Sequence, residues 1–293
     1  FLIDRSVLDM GPQEAVLISV SALAATWAAY EGLCRSRLRT NQTLVAIIGY
    51  VYLVALTYAF THVFGGRGAF VHIGALIGTI MVANVFVVII PNQKKTVDAL
   101  VNGRDPNPQW GAESKLRSVH NNYLTLPVVV MMISGHYPLL FATKYNYLIV
   151  ALVLLLGPVI RHFFNERHAG RKSPWWVWGV AALLMLAIFW LTGAGPRDGA
   201  VSLPANAPKA TFAQVEEIVV SRCSMCHGPE TAWPGIAAAP KGIMLHDETF
   251  IRQYRHLIEV AAVRSDAMPP GNVTDMTKEE RAIIAAWLAS GEK

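Results

Sequence analysis

Six apolar runs, each close to the length a helix needs to cross a lipid bilayer, constrain this chain more than any other feature. They cover roughly residues 15–33, 44–64, 70–90, 123–141, 147–164 and 175–191. About 20 apolar residues in a helix span the hydrocarbon core, and a helix satisfies its own backbone polar groups where water is absent. Composition agrees, since 53% of residues are hydrophobic and only 15% charged, against about 25% charged in a soluble globule. The sequence therefore predicts an all-α protein whose residues 1–192 form a polytopic transmembrane domain. Pro127 in the fourth run and Gly157-Pro158 in the fifth mark places where a helix is expected to kink. Gly74 and Gly78 in the third are expected to let a neighbouring helix approach closely.

Charge gives the orientation. Positive residues concentrate in short cytoplasmic loops. The segments after the first, third and fifth runs carry Arg35, Arg37 and Arg39; Lys94, Lys95, Arg104, Lys115 and Arg117; and Arg161, Arg167, Arg171 and Lys172. Those after the second and fourth carry only Arg67 and Lys144. Twelve against two puts both ends of the chain on the non-cytoplasmic side. The net charge of +5 is spread through these loops without a basic, aromatic-rich stripe, so a nucleic-acid partner is set aside. The chain opens at Phe1 with no basic segment before its apolar start, unlike a signal peptide, and reads as a fragment lacking its N-terminal part.

Beyond residue 192 the character changes. Residues 193–210 are rich in Gly, Pro, Ala and Asn and have no apolar period, which predicts a linker. Residues 211–293 read as a small helical domain. Thr211 to Gln214 and Thr277 to Glu280 are capping-box patterns, each opening a helix. Phe212, Val215, Ile218 and Val219 share one face of the first helix; Ile251, Tyr254, Leu257, Ile258 and Ala261 lie on a second; Ile283, Ile284, Trp287 and Leu288 lie on the third. A domain this small has a marginal core unless something else helps to hold it together.

That help is written in Cys223-Ser224-Met225-Cys226-His227. The spacing presents two thiols to the two vinyl groups of a haem while the histidine ligates iron, the signature of covalent c-type attachment. A thioredoxin-like dithiol or half of a zinc site fits poorly, since no βαβ pattern and no second cysteine pair accompany it. A methionine sulfur as sixth ligand favours electron transfer. Met268, in Asp266-Ala267-Met268-Pro269-Pro270, is the expected ligand because two prolines stiffen its loop. Met225, Met244 and Met276 are its competitors. The order of attachment helix, methionine loop and closing helix resembles class I cytochromes c. The family attaches haem outside the bacterial cytoplasm, on the side that the charge pattern gives this domain.

Ionisable groups within apolar spans are costly and usually face a cavity, cofactor or partner. His62, His72 and His136 lie toward the outer face and are candidates for substrate contact or for ligating an additional intramembrane haem or metal. His120 and His162 lie toward the cytoplasmic face. Arg117 to Pro127, with His120, Asn121, Asn122, Tyr123 and Thr125, is the densest polar cluster at a span end and offers donors, acceptors and a titratable imidazole to a flat heterocycle. Asn92 and Gln93 are expected to join them. Glu31 and Asn84 have only a packing reading, and Cys34 reads as a plain thiol.

The stretch from Arg117 to Pro138, with His120-Asn121-Asn122-Tyr123 and Met131-Met132-Ile133-Ser134-Gly135-His136, resembles the membrane-bound, cytochrome-c-fused urate oxidase (urate hydroxylase) family. The resemblance runs through the six spans, the linker and the haem domain. It implies a bacterial inner-membrane enzyme with a periplasmic cytochrome. Such an enzyme oxidises urate to 5-hydroxyisourate and passes electrons through its own haem c to a respiratory acceptor. Members have about eight spans, so the present chain is expected to lack roughly the first two. The resemblance carries no catalytic set residue by residue, so the four polar residues from His120 to Tyr123 rest on local chemistry. His120 and an outer haem are separated by about 30 Å of hydrocarbon. Either urate binds near the outer histidines, or those histidines hold a relay cofactor. A non-catalytic electron-transfer subunit and a quinol-oxidising cytochrome are the rival readings.

Overall fold

The computed structural model describes residues 3–4, 7–196 and 209–291. Among these residues the ordered elements are all helical. The N-terminal domain is built from α1 (Pro12–Arg35), α2 (Gln42–Thr61), α3 (Gly65–Val101), α4 (Pro108–Ile133), α5 (Asn146–His168) and α6 (Trp176–Thr192). Local chemistry sets the starts: Pro12 and Pro108 occupy first-turn positions where a missing N–H costs nothing, and the Asn41 and Asn107 side chains accept from the amides of Leu44 and Gln109. The helices α1, α2, α3 and α5 are long and apolar enough to cross a membrane, and α6 is a shorter apolar helix of 17 residues.

Two helices depart from the expected spans. Helix α3 does not stop near residue 90 but runs for 37 residues, about 55 Å at 1.5 Å per residue, well beyond the hydrocarbon thickness. Helix α4 begins at Pro108, some fifteen residues before the apolar run. The polar segments between the third and fourth runs are thus largely helical: the two helices continue past their apolar stretches and pack on each other, where Asn92 Nδ2 donates to Glu113 Oε2 at 3.3 Å. Asn92 is therefore turned toward Glu113, away from the cluster it was expected to join, and Gln93 is exposed.

The centre of the bundle is α3. Phe70, Ile73, Leu76 and Ile77 are essentially inaccessible and pack with Met131 of α4 and Ile149 and Val150 of α5. The opposite surfaces of the outer helices are apolar and exposed, as Val16 and Leu17 of α1 and Phe189 and Trp190 of α6 show; such a surface suits lipid. Both prolines lie inside continuous helices. Pro127 of α4 seats directly on Gly157 of α5, where a Cβ would overlap its ring. Gly74 likewise admits Met131, whose Cβ would stand 2.9 Å from an added methyl. Gly78 faces open space and admits no neighbour, contrary to the expectation.

At the end of the bundle nearer the small domain, α2 turns into α3 through residues 62–64, and α4 reaches α5 through a 3-10 turn Ser134–His136 and a short helix Pro138–Phe141. Gly66 packs onto the carbonyl of Phe141 so closely that any side chain there would collide. Asn146 Nδ2 donates to the same carbonyl at 2.8 Å.

Most of the expected linker, residues 197–208, lies outside the described residues. The C-terminal domain comprises α7 (Phe212–His227), α8 (Glu248–Gln253), a turn of helix Arg255–Ile258 leading into a π-helical Glu259–Val263, and α9 (Lys278–Ser290). Both capping boxes form as read, at Thr211 with Gln214 and at Thr277 with Glu280. The core gathers Val215, Ile218, Val219, Ile251, Ile258, Ile284 and Trp287. Leu257, expected on the inner face, is exposed. The loop between the π-turn and α9 rests on the membrane domain: the Asp266 amide donates to the Ala142 carbonyl at 3.4 Å, and Ala267 is buried in the membrane domain's core cluster.

Candidate functional site

The attachment motif occupies the C-terminal turn of α7, so Cys223 and Cys226 lie on neighbouring turns and His227 ends the helix. Both thiols are free. His227 Nδ1 lies 2.9 Å from the carbonyl of Ile243, which can only accept, so Nδ1 carries the proton and Nε2 is left as a ligand. The His227 carbonyl in turn accepts from Leu245 at 2.7 Å, which fixes the strand of loop beside the imidazole. Cys223 packs against the domain core, and burial pushes its thiol up to about 12; burial also raises Cys226. Trp287 Nε1 and His246 Nδ1 are buried without a partner among the described residues. An unmet buried donor costs about 1–3 kcal/mol. Two free thiols on neighbouring turns and a histidine with one nitrogen held and one available, in a domain that also buries polar atoms without partners, fit a c-type haem.

The methionine loop is anchored from inside its own domain. The Met268 amide donates to Ala261 at 2.9 Å, and Arg281 Nη1 bridges the carbonyls of Ala262 at 2.6 Å and Met268 at 3.0 Å. Met268 remains half-buried, whereas Met276 is buried in the hydrophobic core and Met225 is exposed. Met244 is half-buried.

The polar cluster at the start of the fourth apolar run divides in two, because adjacent residues on a helix point about 100° apart. His120 and Asn121 face α1 and α3. His120 Nε2 donates to Gln42 Oε1 at 2.9 Å, so Nδ1 accepts from the Tyr30 hydroxyl at 2.7 Å. Asn84 Nδ2 reaches both the Tyr30 hydroxyl at 3.0 Å and Asn121 Oδ1 at 2.8 Å, while Asn121 Nδ2 donates to the Met81 carbonyl. Arg117 Nη2 pairs with Glu31 at 2.7 Å and Nη1 reaches Asn84 Oδ1 at 3.3 Å. Asn122 and Tyr123 instead face α5, where Asn122 accepts from Arg161 Nε at 2.7 Å and the Tyr123 hydroxyl meets His162 Nδ1 at 3.1 Å. The four residues therefore face two different helix interfaces. Tyr30 is the member that sequence reasoning left out; Arg117 stands in the cluster read from the sequence, and Glu31 and Asn84 have only a packing reading there. Glu31 and Asn84 had signalled themselves as polar residues in apolar runs. Asn84 also opens a π-helical stretch, Asn84–Ile89, a local widening frequent at functional positions.

The outer histidines also separate. His72 is buried, with Nε2 on Ser19 Oγ and Nδ1 on the Gly68 carbonyl, both at 2.7 Å, and its ring stacks on Phe64 at 4.1 Å. His62 Nδ1 bonds the Tyr58 carbonyl at 2.8 Å, and His136 is exposed. Among the described residues no three His, Cys, Asp or Glu side chains form a metal-binding group. With both nitrogens of His72 engaged, an additional intramembrane haem or metal finds no support here.

A feature that the sequence did not announce lies between the two domains. An open cavity of about 250 Å³ is lined by the start of α3 (Phe64 to Arg67), the turn before α5 (Phe141, Ala142 and Asn146), Asp4 and Val7, and the methionine loop (Asp266, Ala267, Pro270 and Gly271). The Arg67 guanidinium lies 4.8 Å over the Phe141 ring.

Apolar helices fit to cross a membrane, joined to a haem-attaching c-type domain, define a membrane-embedded, cytochrome-linked oxidoreductase. Comparison with known families agrees: the model described as urate oxidase N-terminal matches residues 1–192, and the one described as cytochrome C oxidase, cbb3-type, subunit III matches residues 210–288. The chain belongs to the urate oxidase N-terminal family. Among curated proteins and among solved structures, nothing matches.

Proposed function

We propose that this chain oxidises urate to 5-hydroxyisourate and delivers the electrons to its own haem c, from which a respiratory cytochrome or terminal oxidase removes them. The observation that carries this reading is the union, in one chain, of a urate oxidase N-terminal match and a separate domain with both thiols and the histidine of a haem c site. Urate and water give 5-hydroxyisourate, two electrons and two protons. The bound haem supplies acceptance of one electron at a time. Cys223 and Cys226 hold it covalently, His227 offers Nε2, and Met268 is the proposed sixth ligand on a loop that Arg281 keeps in place. The charge asymmetry of the loops and the biology of haem attachment support a bacterial inner-membrane protein with a periplasmic cytochrome.

His120 and Asn121, with Tyr30, Asn84 and Arg117, tie α1, α3 and α4 together; Asn122 and Tyr123 tie α4 to α5. We assign these four residues to holding the helices in register. Urate added anaerobically to the purified protein is expected to reduce haem c without any partner, with two haem equivalents reduced for each urate consumed. Absence of reduction, or reduction by a quinol alone, refutes the proposal in favour of an electron-transfer subunit or a quinol-oxidising cytochrome.

A further inference from the structure

We infer that the cavity between the membrane domain and the methionine loop is where the purine anion binds and is oxidised; this rests on the proposed urate chemistry and gives it a location. Position is the first argument. A molecule in the cavity touches Asp266, Ala267 and Gly271, which flank Met268. The His120 network lies at the opposite end of the spans, across about 30 Å of hydrocarbon.

Unmet donors are the second. Arg67 is half-buried and, among the described residues, its guanidinium makes no hydrogen bond or ion pair, only the contact over Phe141. Burial removes water from N–H donors that then lack acceptors, which is unfavourable. A planar ligand with carbonyl oxygens supplies those acceptors, and Arg recognises flat, multi-oxygen ligands through its fork of donors.

The third is the match of edges and faces. Urate carries carbonyl acceptors and N–H donors around one plane. Arg67 and the first-turn amides of α3 are donors, the carboxylates of Asp4 and Asp266 are acceptors, and the rings of Phe64 and Phe141 offer apolar faces. Size is the fourth. About 250 Å³ suits a compact bicyclic ligand and falls just below the range of about 300–1,000 Å³ typical of pockets for larger molecules, a quinol with its tail among them. In the reaction a C5–O bond forms, an O–H bond of water and an N–H bond of urate break, both protons leave to the outer aqueous phase, and both electrons leave singly to the protein's own haem.

The test is photolabelling of the intact, haem-loaded protein with 8-azidoxanthine, followed by peptide mapping. Adducts that excess urate suppresses are expected within 64–67, 141–146 or 266–271. Urate-protected adducts at 117–123, or no protected adduct, overturn the inference. The urate concentration that halves labelling should rise at least tenfold in Arg67→Gln and return most of the way in Arg67→Lys, with the dithionite-reduced haem c spectrum reporting intact folding in each; an unchanged concentration in Arg67→Gln overturns it too. Haem reduction by urate with an unlabelled cavity refutes this location alone and leaves the proposed function standing. A labelled cavity without haem reduction refutes the oxidation itself.

Discussion

Replacing Arg117 by Met should destabilise the membrane domain strongly, and the cost can be worked from its surroundings. The guanidinium holds Glu31 Oε2 at 2.7 Å, with side-chain exposures of 7% and 13% for the two partners. Its other arm reaches Asn84, and it lies 5.1 Å over the Tyr30 ring. Two charges about 4 Å apart at an effective dielectric near 20 attract by roughly 4 kcal/mol, and breaking a buried pair from one side typically costs about 3–5 kcal/mol. The loss is reduced here because Arg35 Nε keeps the other oxygen of Glu31 at 2.6 Å from a mostly exposed position. A cost of about 2–4 kcal/mol follows, or a fall of roughly 4–16 °C in melting temperature at about 2–4 °C per kcal/mol for a domain of this size. Thermal melts in detergent of Arg117→Met, Glu31→Gln and the double variant give the assay. The double variant should be less damaged than the sum of the singles by at least about 1 kcal/mol, since it leaves no stranded carboxylate. Strict additivity would refute the reasoning, because it would mean that Glu31 never depended on Arg117.

Other outcomes follow from single contacts. Gly157→Ala forces a Cβ into the Pro127 ring; overpacking costs about 1–3 kcal/mol, enough to exceed the gain in helix propensity, whereas Gly78→Ala, facing open space, should leave the melting temperature unchanged or slightly higher. Glu280 is partly buried, which raises its pKa, but three hydrogen bonds from Arg222 and one from the Thr277 amide outweigh this and hold it below the ordinary carboxylate range. Its stabilisation is therefore present above about pH 4.3 and lost as pH falls through the lower folded value. Glu280→Gln should cost about 1–2 kcal/mol at neutral pH and nothing in strong acid, as read by denaturant unfolding of the cytochrome signal at several pH values. In protein made without haem, iodoacetamide should modify Cys226 several-fold faster than Cys223, whose thiol burial holds protonated; equal rates would contradict the packing of α7. Ala267→Arg should lift the methionine loop off Ala142, slowing reduction of haem c by urate in stopped flow while leaving reduction by dithionite unaffected.

The sequence carried some of this architecture openly and some not at all. Apolar length, the two capping boxes and the attachment motif are local signals, and each depends on residues within one turn or one run. Helical continuation past residue 90 and before residue 123 was hidden because a hydropathy window ends where charge begins, although charged residues form helices readily. The division of His120 and Asn121 from Asn122 and Tyr123 was, by contrast, legible in principle: four consecutive helical residues cannot share a face. The cavity was not legible, since Asp4, Arg67, Phe141 and Asp266 come from four distant segments, and Arg67 had counted only as a stray charge in an outer loop.

The docking of the methionine loop restricts where a partner of the small domain can bind. Ala267 is buried against the membrane domain, Asp266 bonds Ala142, and a Cβ on Gly271 would stand 2.8 Å from the carbonyl of Ile3, so this edge of the cytochrome is already occupied by its own chain. An external acceptor must then approach another surface of the small domain. In the proposed reaction, donor and acceptor would thereby meet the haem domain on different sides. His72 is fixed by Ser19, Gly68 and the Phe64 ring, and it shapes the wall behind the cavity through Phe64. On this view the inner network and the outer cavity divide the labour of the membrane domain, the one bracing helices where charge must be buried, the other placing a small anion beside the haem-bearing domain.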